Sequence, residues 1–348
     1  MSEDRQPDVA AKEAAVEEPD LDRGVVEAWA ARMISNPERA YRAGFYTATI
    51  FFIVTTLFPF FWLFVIAVTP RSNLSDIGVF TPGGTPRAEV TIPLLEWTLA
   101  VPVGVPTDLN PAAFLEIFDP NMIPFHRYVF NSFLIATVAT VVVLFVASLA
   151  GYVFGRLEFR GRNTLLLLVL VTSFFPPAAF FVPLNRLFNA NIDVLAPLMQ
   201  DGSLYNTPYA IFIPLSALYL PLSIFILTTF YSQIPDGLED AARVEGTTRL
   251  GALFRVIVPL SAPGVATAGV LTFITVYNEY FFSSLMTDGQ EQNWAPMLEG
   301  ILQFQGQFEV FYNLMAAASI VAVLPVAILV VVAQEKIVSG LTAGAVKE

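Results

Sequence analysis

Residues 128–155 read YVFNSFLIATVATVVVLFVASLAGYVFG, a stretch of 28 residues without one charged side chain. A helix needs about 20 apolar residues to cross the hydrocarbon core of a bilayer, and this stretch exceeds that length. Five further stretches have the same character and lie at roughly 45–68, 163–184, 208–231, 262–285 and 311–333. The sequence therefore predicts an all-α integral membrane protein with six transmembrane helices.

The composition agrees with this prediction and excludes several classes of function. Of the 348 residues, 55% are hydrophobic and 14% are charged, whereas soluble domains carry about a quarter charged residues. The chain has no cysteine and one histidine, His126, which excludes thiol chemistry, disulfides and multi-histidine metal centres. The net charge is −12, while nucleic-acid-binding proteins carry a basic surface. We therefore expect no catalytic residue, no metal site and no nucleic-acid partner.

The orientation follows from the basic residues, because Lys and Arg accumulate on the cytoplasmic side of membrane proteins. With the N-terminus inside, 14 of the 18 basic residues fall in inner segments. The four in outer segments are Arg71, Arg87, Arg127 and Arg186. The sequence thus predicts a multi-pass protein of the cell membrane with both termini in the cytoplasm.

These boundaries divide the chain into three regions. We expect an acidic cytoplasmic tail at 1–44, a six-helix transmembrane domain at 45–333 and a cytoplasmic C-terminal tail at 334–348. The outer segment 69–127 is rich in Pro, Gly and Thr and is expected to form a loop or small lobe. The first tail holds ten Asp or Glu, and the whole chain has three lysines. Such a composition suits a halophilic prokaryote, and the alternative is an ordinary acidic tail.

The inner loop at 232–261 has an ordered pattern. Pro235 precedes a good helix start, Gly246 interrupts the helical run, and the threonines at 247–248 can cap a second helix. We therefore expect two short helices with a glycine bend. Gly246 either adopts a left-handed backbone or contacts a partner closely. The alternative is that it simply ends a helix. The loop itself either closes the end of the bundle or docks onto a partner.

The spacing within this loop resembles a known motif, the EAA loop of ABC importer permeases. The family pattern is Glu-Ala-Ala, three residues, Gly, nine residues, then Ile-x-Leu-Pro. The matching residues here are Asp240-Ala241-Ala242, Gly246 and Val256-Ile257-Val258-Pro259. Asp replaces Glu, and valines replace two aliphatic residues, so charge and apolar character are kept. The chain contains no G-x-x-x-x-G-K-[ST] phosphate loop, in agreement with a permease that has no ATP site.

Further segments resemble the carbohydrate-uptake branch of that family, in particular the smaller membrane subunit of maltose-type, binding-protein-dependent importers. They are Asn131-Ser132-Phe133, the run YVFGRLEFRGR at 152–162, Tyr277-Asn278-Glu279-Tyr280 and the chain end at 340–348. The resemblance covers roughly residues 45–348. It leaves out the acidic tail and the composition of the outer segment 69–127.

The resemblance implies a type I ABC importer permease fold and a division of labour. The permease is not an enzyme and holds no cofactor; ATP and Mg bind in two partner ATPase subunits. A second homologous permease completes the pore, and an external solute-binding protein delivers a disaccharide or short oligosaccharide. The sugar then crosses by alternating access. From its placement and length, the outer segment 69–127 is expected to contact the binding protein. The residues expected to contact an ATPase are Asp240, Ala241, Ala242, Glu245, Gly246, Arg249 and Pro259. Those expected to reach between the ATPases from the tail are Leu341, Thr342, Gly344 and Lys347.

Polar residues within the fifth predicted span are candidates for the transport path, because polar groups in a membrane are costly. Tyr277, Asn278 and Glu279 either line the path or hold helices together. An ion-coupled secondary transporter is the alternative function, and Glu279 is the one strong candidate for its coupling acid. A third alternative, an intramembrane enzyme, is disfavoured because the chain offers few acid–base groups for catalysis.

Overall fold

The computed structural model describes residues 37–75, 87–92, 97–102, 109–119, 121–189, 202–306 and 309–343. The chain divides into two compact units, residues 1–61 and 62–348. The described part of the first unit is helical and exposes its large apolar side chains. All of the sites considered below lie in the second unit. Residues 1–36 of the predicted acidic tail lie outside the described residues.

The helices, in chain order, are α1 Pro37–Ala67, α2 Arg71–Ser75, α3 Ala113–Glu116, α4 Phe125–Arg156, α5 Arg162–Thr172, α6 Ala178–Asn189, α7 Pro208–Tyr231, α8 Asp236–Val244, α9 Arg249–Ala252, α10 Val258–Leu260, α11 Ala262–Tyr277, α12 Phe281–Met286, α13 Met297–Leu302 and α14 Tyr312–Ala343. A π-helical turn, Leu253–Ile257, joins α9 to α10, and a short 3-10 helix covers Glu291–Asn293. Two strands, β1 Arg87–Ile92 and β2 Trp97–Pro102, complete the described elements.

Four of the described helices are long and apolar enough to cross a membrane. They are α1 from Tyr41 to Ala67, the whole of α4, the whole of α7 and α14 from Tyr312 to Gln334. A fifth crossing results if Arg249–Leu260 is counted with α11, although the two are bent by 83°. The six continuous transmembrane helices expected from the sequence are therefore not all present, because the third and fifth predicted spans are interrupted.

Each interruption lies at a local feature that favours a break. The third predicted span is split into α5 and α6 around Pro176 and Pro177. Proline lacks an N–H group and disfavours helical backbone in the residue before it, so two in succession weaken a continuous helix at this point. The fifth span is split between Tyr277 and Phe281, where the carboxylate of Glu279 accepts the backbone N–H groups that start α12. Isolated prolines, one each inside α1, α6 and α14 and two inside α7, leave those helices continuous.

The outer segment 69–127, which was expected to form a loop or small lobe, contains two short strands within the otherwise helical part of the chain that the structure describes. There β1 and β2 form a two-stranded antiparallel sheet in which Arg87 pairs with Pro102 and Ile92 with Trp97. Both strands contain β-branched residues, which favour extended backbone, and β2 also begins with the aromatic Trp97. Proline stands at the end of β2, where it removes no central ladder bond. The segment therefore contains a small sheet as well as short helices.

Glycine allows α4 and α7 to pack closely. A Cβ atom on Gly151 would lie 3.0 Å from Leu227 Cβ and 3.3 Å from Thr228 N. A Cβ atom on Gly155 would lie 3.1 Å from Thr228 O and 3.2 Å from Tyr231 Cβ. Small residues four apart let two membrane helices bring their backbones together in this way. The two glycines therefore determine how α4 and α7 meet.

The remaining core is built on this helix pair. Helix α11 packs against α4, α7 and α14, and the hydroxyl groups of Ser223 and Thr272 lie 3.1 Å apart across the α7–α11 contact. Buried apolar residues form two clusters. The smaller cluster joins the ends of α4 and α7 to the π-helical turn, through Tyr152, Leu227, Tyr231, Leu253 and Ile257 among others. The 232–261 loop is thereby fixed to the bundle at its base.

Candidate functional site

Helix α8 is the first element of the 232–261 loop. Pro235 precedes it in extended backbone, Asp236 and Glu239 lie in its first turn, and Arg243 lies in its last. Acidic groups near the N-terminus and basic groups near the C-terminus interact favourably with the helix dipole. The sequence thus contains a strong signal for a short helix at this position.

A glycine bend ends α8. Gly246 has φ +89°, and the N–H of Thr247 donates to Ala242 O at 3.0 Å while the N–H of Gly246 donates to Arg243 O at 3.0 Å. Such a left-handed residue with this pair of hydrogen bonds is a common way to end a helix. Nothing lies within 4 Å of a Cβ atom placed on Gly246. The glycine is therefore both a helix terminus and a left-handed residue, and within this chain it contacts no neighbour closely.

The second half of the loop turns sharply relative to the bundle. Thr248 caps α9 by accepting the N–H of Gly251 at 3.1 Å, as the sequence predicted for this threonine pair. Leu253 and Ile257 are fully buried, whereas Leu250 and Phe254 are exposed. The segment Arg249–Leu260 then meets α11 at 83°. The loop therefore has one buried face against the bundle and one face directed away from it.

The residues predicted to contact an ATPase lie on the exposed side. Asp240, Ala241, Glu245, Gly246, Arg249 and Pro259 are exposed, and Ala242 is half-buried. Exposed apolar side chains lie among them, notably Val244 at 89% and Leu250 at 58%. Apolar residues rimmed by charges are typical of a surface that meets another protein. All seven residues thus belong to one loop that is open to a partner.

Sequence reasoning missed the acid that faces inward. Glu239, and not Asp240, is buried: one carboxylate oxygen accepts Arg156 Nε at 3.1 Å and the other accepts the hydroxyl of Tyr152. Arg156 also contacts Asp236 at 2.8 Å and donates to the carbonyl of Ile234. Both partners of Glu239 lie in α4, one helical turn apart. The run 152–162 resembles a family segment in the sequence, but nothing in it indicates that Tyr152 and Arg156 bind the distant carboxylate of Glu239.

The three candidates in the fifth predicted span have structural contacts. Tyr277 is fully buried, and its hydroxyl donates to Ala322 O in α14 at 2.8 Å. Asn278 is exposed and donates to Ile274 O in its own helix at 2.9 Å. Glu279 accepts the N–H groups of Phe282 at 2.7 Å and Ser283 at 3.0 Å, and also the Ser283 hydroxyl at 2.7 Å. Within this chain Tyr277 joins α11 to α14 and Glu279 starts α12, whereas Asn278 only bonds back to the last turn of α11.

At the opposite end of α4, side chains hold the 286–310 loop. Asn131 donates to the carbonyls of Glu291 at 2.7 Å and Ala295 at 3.2 Å, and Ser132 accepts the N–H of Met297 at 2.8 Å. Gln303 donates to the hydroxyl of Tyr128 at 2.6 Å. Asn131 and Ser132 open one of the segments that resemble the carbohydrate-uptake branch. Their structural role is to order a loop about 160 residues later in the chain.

Replacing Asn131 with Leu is expected to loosen that loop. The buried carbonyl of Ala295 and the part-buried carbonyl of Glu291 lose their donor, and an unsatisfied buried polar group costs about 1–3 kcal/mol. Hydrogen–deuterium exchange of the amides at 289–297 should become faster. Asn189→Leu is the matched control, because Asn189 is exposed and donates to Asn185 O of its own helix. Equal exchange in the two variants would show that Asn131 does not order the loop.

The predicted tail contacts are described in part. Helix α14 continues to Ala343, so the backbone of Leu341 and Thr342 is helical. Gly344 and Lys347 lie outside the described residues. The tail at 334–348 thus begins as a direct extension of the last long helix.

A cavity of about 370 Å³ lies beside the break between α5 and α6. Its lining is mostly aromatic and aliphatic, with Phe180, Phe181, Phe188 and Phe282 among its walls. The one hydroxyl in the lining, that of Thr172, donates to Val169 O in its own helix. Sugars are bound through several hydrogen bonds to polar groups, and this lining does not provide such a set.

Comparison with known proteins identifies relatives over most of the chain. A family described as "Binding-protein-dependent transport system inner membrane component" matches residues 147–341. The chain is 34% identical over 295 residues to the sulfoquinovosyl glycerol transport system permease protein of Agrobacterium fabrum, covering 85% of this chain and 90% of the relative. It is 34% identical over 235 residues to the trehalose/maltose transport system permease protein of Thermococcus litoralis, covering 67% of this chain and 80% of the relative.

Solved structures show the same fold at lower identity. A chain of a bacterial ABC transporter that imports the acidic polysaccharide alginate superimposes with a TM-score of 0.62 at 17% identity. The match covers 86% of this chain and 97% of that chain. The described helices and their order are thus those of a known membrane-protein fold.

Proposed function

Because the chain belongs to the family of binding-protein-dependent transport system inner membrane components, we propose that it is the permease subunit of an ATP-driven importer that passes a sugar into the cell. It is a multi-pass protein of the cell membrane. In this proposal the chain crosses the membrane six times, with the interrupted third and fifth spans as crossings and both termini in the cytoplasm. The regions 1–44, 45–333 and 334–348 are then the first tail, the permease domain and the second tail.

The observation that carries the proposal is the two-sided 232–261 loop. Its exposed side holds the predicted contact residues, and its buried side is joined to the bundle through Leu253, Ile257 and Glu239. A loop of this kind passes on a displacement only when its base is rigid. The exposed side would meet an ATPase subunit, and the base would carry the movement into α7 and α11.

The partners follow from this arrangement. Two ATPase subunits bind ATP and Mg, since no nucleotide loop is present in the sequence of this chain. A second, homologous permease completes the pore, and an external solute-binding protein docks on the face that carries the 69–127 segment. One structurally similar transporter, the bacterial alginate ABC transporter, has been solved in complex with a periplasmic protein that holds an alginate pentasaccharide. Residues of the C-terminal tail, Leu341, Thr342, Gly344 and Lys347, would reach between the ATPases.

We propose alternating access as the mechanism. ATP binding closes the ATPase subunits and displaces the exposed side of the loop, through Asp240, Ala241, Ala242, Glu245, Gly246, Arg249 and Pro259. The displacement favours the outward-facing state, and hydrolysis returns the permease to the inward-facing state. In energetic terms ATP binds the outward-facing state more tightly, and this difference in affinity shifts the population of the two states.

The substrate class is supported by the relatives. Their names refer to trehalose, maltose and sulfoquinovosyl glycerol, which are glycosides of two linked units. We therefore propose a disaccharide or short oligosaccharide. Tyr277, Asn278 and Glu279 remain candidates for the transport path, although each has a structural hydrogen bond within this chain. The alternative, an ion-coupled secondary transporter, is less well supported because the carboxylate of Glu279 is already occupied by three donors.

Uptake by the reconstituted complex tests the proposal. The chain is purified with its ATPase and permease partners in proteoliposomes, and labelled trehalose and maltose are supplied with the binding protein. We expect uptake that requires hydrolysable ATP and the binding protein and that ionophores leave unchanged. Glu279→Gln should retain this ATP dependence, because the Gln amide oxygen can still accept from the start of α12. Gradient-driven uptake by the chain alone, abolished by Glu279→Gln, would establish the ion-coupled alternative instead.

A further inference from the structure

Helix α8 is flanked by two joints. Pro235, with ψ 135°, precedes it in extended backbone, and Gly246 follows it with φ +89°. A helix of nine residues between two such joints can tilt or rotate about its own axis when a partner pushes it. A tilt of this kind would absorb a displacement before it reached the membrane helices. Something other than the backbone must therefore hold α8 in position.

The contact between Arg156 and Glu239 is suited to this purpose. Only 4% of the Arg156 side chain and 10% of the Glu239 side chain are exposed, so water screens the pair little. The two residues are 83 positions apart in the chain. Helices α5, α6 and α7 separate α4 from α8 along the chain. The pair therefore provides a direct link between α4 and α8 that the backbone does not. The pair is thus a tertiary contact between a membrane helix and the loop that would meet the ATPase.

The geometry opposes both tilt and rotation of α8. The two oxygens of Glu239 are taken by Arg156 and by Tyr152, which lie one turn apart on α4. Two bonds from one carboxylate to two points along a helix restrain its orientation more than one bond does. The guanidinium group also contacts Asp236 at the first turn of α8 and the Ile234 carbonyl after α7. One arginine thus connects α4, α8 and the end of α7.

Building on the function proposed above, we infer that Arg156 and Glu239, with Tyr152, are positioning residues that make α8 move as one body with α4 and α7. They act through α8 and are not expected to touch the ATPase or the sugar. Their contribution is to the efficiency of coupling, meaning the amount of sugar imported for each ATP hydrolysed. Without the pair, the ATPase would still close on the loop, but α8 would tilt and the membrane helices would follow incompletely.

The amount of sugar imported for each ATP hydrolysed, called here the coupling ratio, tests this inference when it is measured on the full complex. Glu239→Gln removes the charge and keeps the shape of the side chain. We expect binding-protein-stimulated ATP hydrolysis to stay within about threefold of native while uptake per ATP falls about tenfold, a ratio typical of coupling between two sites. Arg156→Lys keeps the charge but loses the planar fork, so an intermediate loss is expected. Glu158→Gln and Arg160→Gln are the matched controls, since both residues lie in the segment after α4, outside the contact with α8.

A milder variant keeps the test decisive if Glu239→Gln does not assemble. Tyr152→Phe removes one hydrogen bond without leaving a buried charge unpaired, and it should lower the coupling ratio measurably. A merely structural role would lower uptake and hydrolysis by the same factor in every variant, and that result, or an unchanged ratio, would overturn the inference. An absence of ATP-dependent uptake by the native complex would instead contradict the proposed function.

Distance measurement provides an independent readout. The native chain has no cysteine, so labels can be placed at single introduced sites. Spin labels on Gly237→Cys in α8 and Glu158→Cys beyond α4 should show the same narrow distance with and without ATP. In a Glu239→Gln background the distance should broaden or shift on ATP binding. A distance that already changes with ATP in the otherwise native chain would show that α8 and α4 do not move together.

Discussion

Replacing Gly246 with valine is expected to abolish most ATP-driven uptake. The residue has φ +89°, a region in which a residue with a Cβ atom is strained by about 1–2 kcal/mol and a β-branched residue by more. A penalty of that size shifts the balance between the native and altered loop by about 5- to 30-fold. The bend between α8 and α9 would open, and the exposed contact residues on either side of it would separate. Binding-protein-stimulated ATP hydrolysis and uptake in proteoliposomes measure the loss.

A graded series separates backbone strain from crowding at this position. Asparagine tolerates left-handed backbone better than alanine, and alanine better than valine, so we expect the remaining activity to follow that order. Gly237→Ala is the matched control. A Cβ atom placed on Gly237 also meets open space, but the φ of this residue is not positive, and alanine should slightly favour the helix. If Gly246→Asn is as damaging as Gly246→Val, close contact with a partner and not backbone strain explains the glycine.

Gly155→Val is expected to prevent stable packing of α4 on α7. A Cβ atom at this position would lie 3.1 Å from the carbonyl oxygen of Thr228, and the backbone of a continuous helix cannot yield there. Extra atoms forced into a packed interface cost about 1–3 kcal/mol, and valine adds two methyl groups beyond the Cβ atom. The next residue is Arg156, so the contact with α8 would be displaced as well. We expect a lower unfolding temperature of the purified subunit in detergent and a low yield of assembled complex.

Gly44→Val provides the comparison for this prediction. Gly44 also lies in a long apolar helix, α1, but nothing lies within 4 Å of a Cβ atom placed on it. Both variants add the same side chain to a helix, so their difference reports the α4–α7 contact. Gly151→Val should resemble Gly155→Val, since its Cβ atom would lie 3.0 Å from Leu227 Cβ. Equal unfolding temperatures for Gly44→Val and Gly155→Val would contradict the packing argument.

Features that depend on neighbouring residues were predictable from the sequence. The apolar stretches predicted six membrane spans, and four of these are continuous helices among the described residues, because hydrophobicity over about 20 residues is a local property. The helix start at Asp236, the bend at Gly246 and the cap at Thr248 were likewise predictable, since each forms hydrogen bonds within a few residues. The spacing of the EAA-like residues identified the family, and the family match includes that loop.

Features that join distant segments needed the tertiary structure. The sequence placed the acid of interest at Asp240, whereas the buried acid is Glu239, whose partner Arg156 is 83 residues away. Asn131 appeared in the sequence only as part of a family-like segment, and its role in ordering the 286–310 loop emerged only from contacts about 160 residues distant. Glu279 was ambiguous until its carboxylate was placed at the start of α12.

The interrupted third and fifth spans show why the sequence and the tertiary structure differ on which helices are continuous. Membrane helices tolerate proline when neighbouring groups satisfy the freed carbonyls, so the pair at Pro176 and Pro177 does not by itself decide between a continuous and a broken helix. Glu279 can likewise remain within a helix or cap a new one. The sequence by itself determined which segments are apolar, where the 232–261 loop bends and to which family the chain belongs. The tertiary structure decided which helices break and which charges are buried together, because those outcomes depend on packing partners that lie far away in the chain.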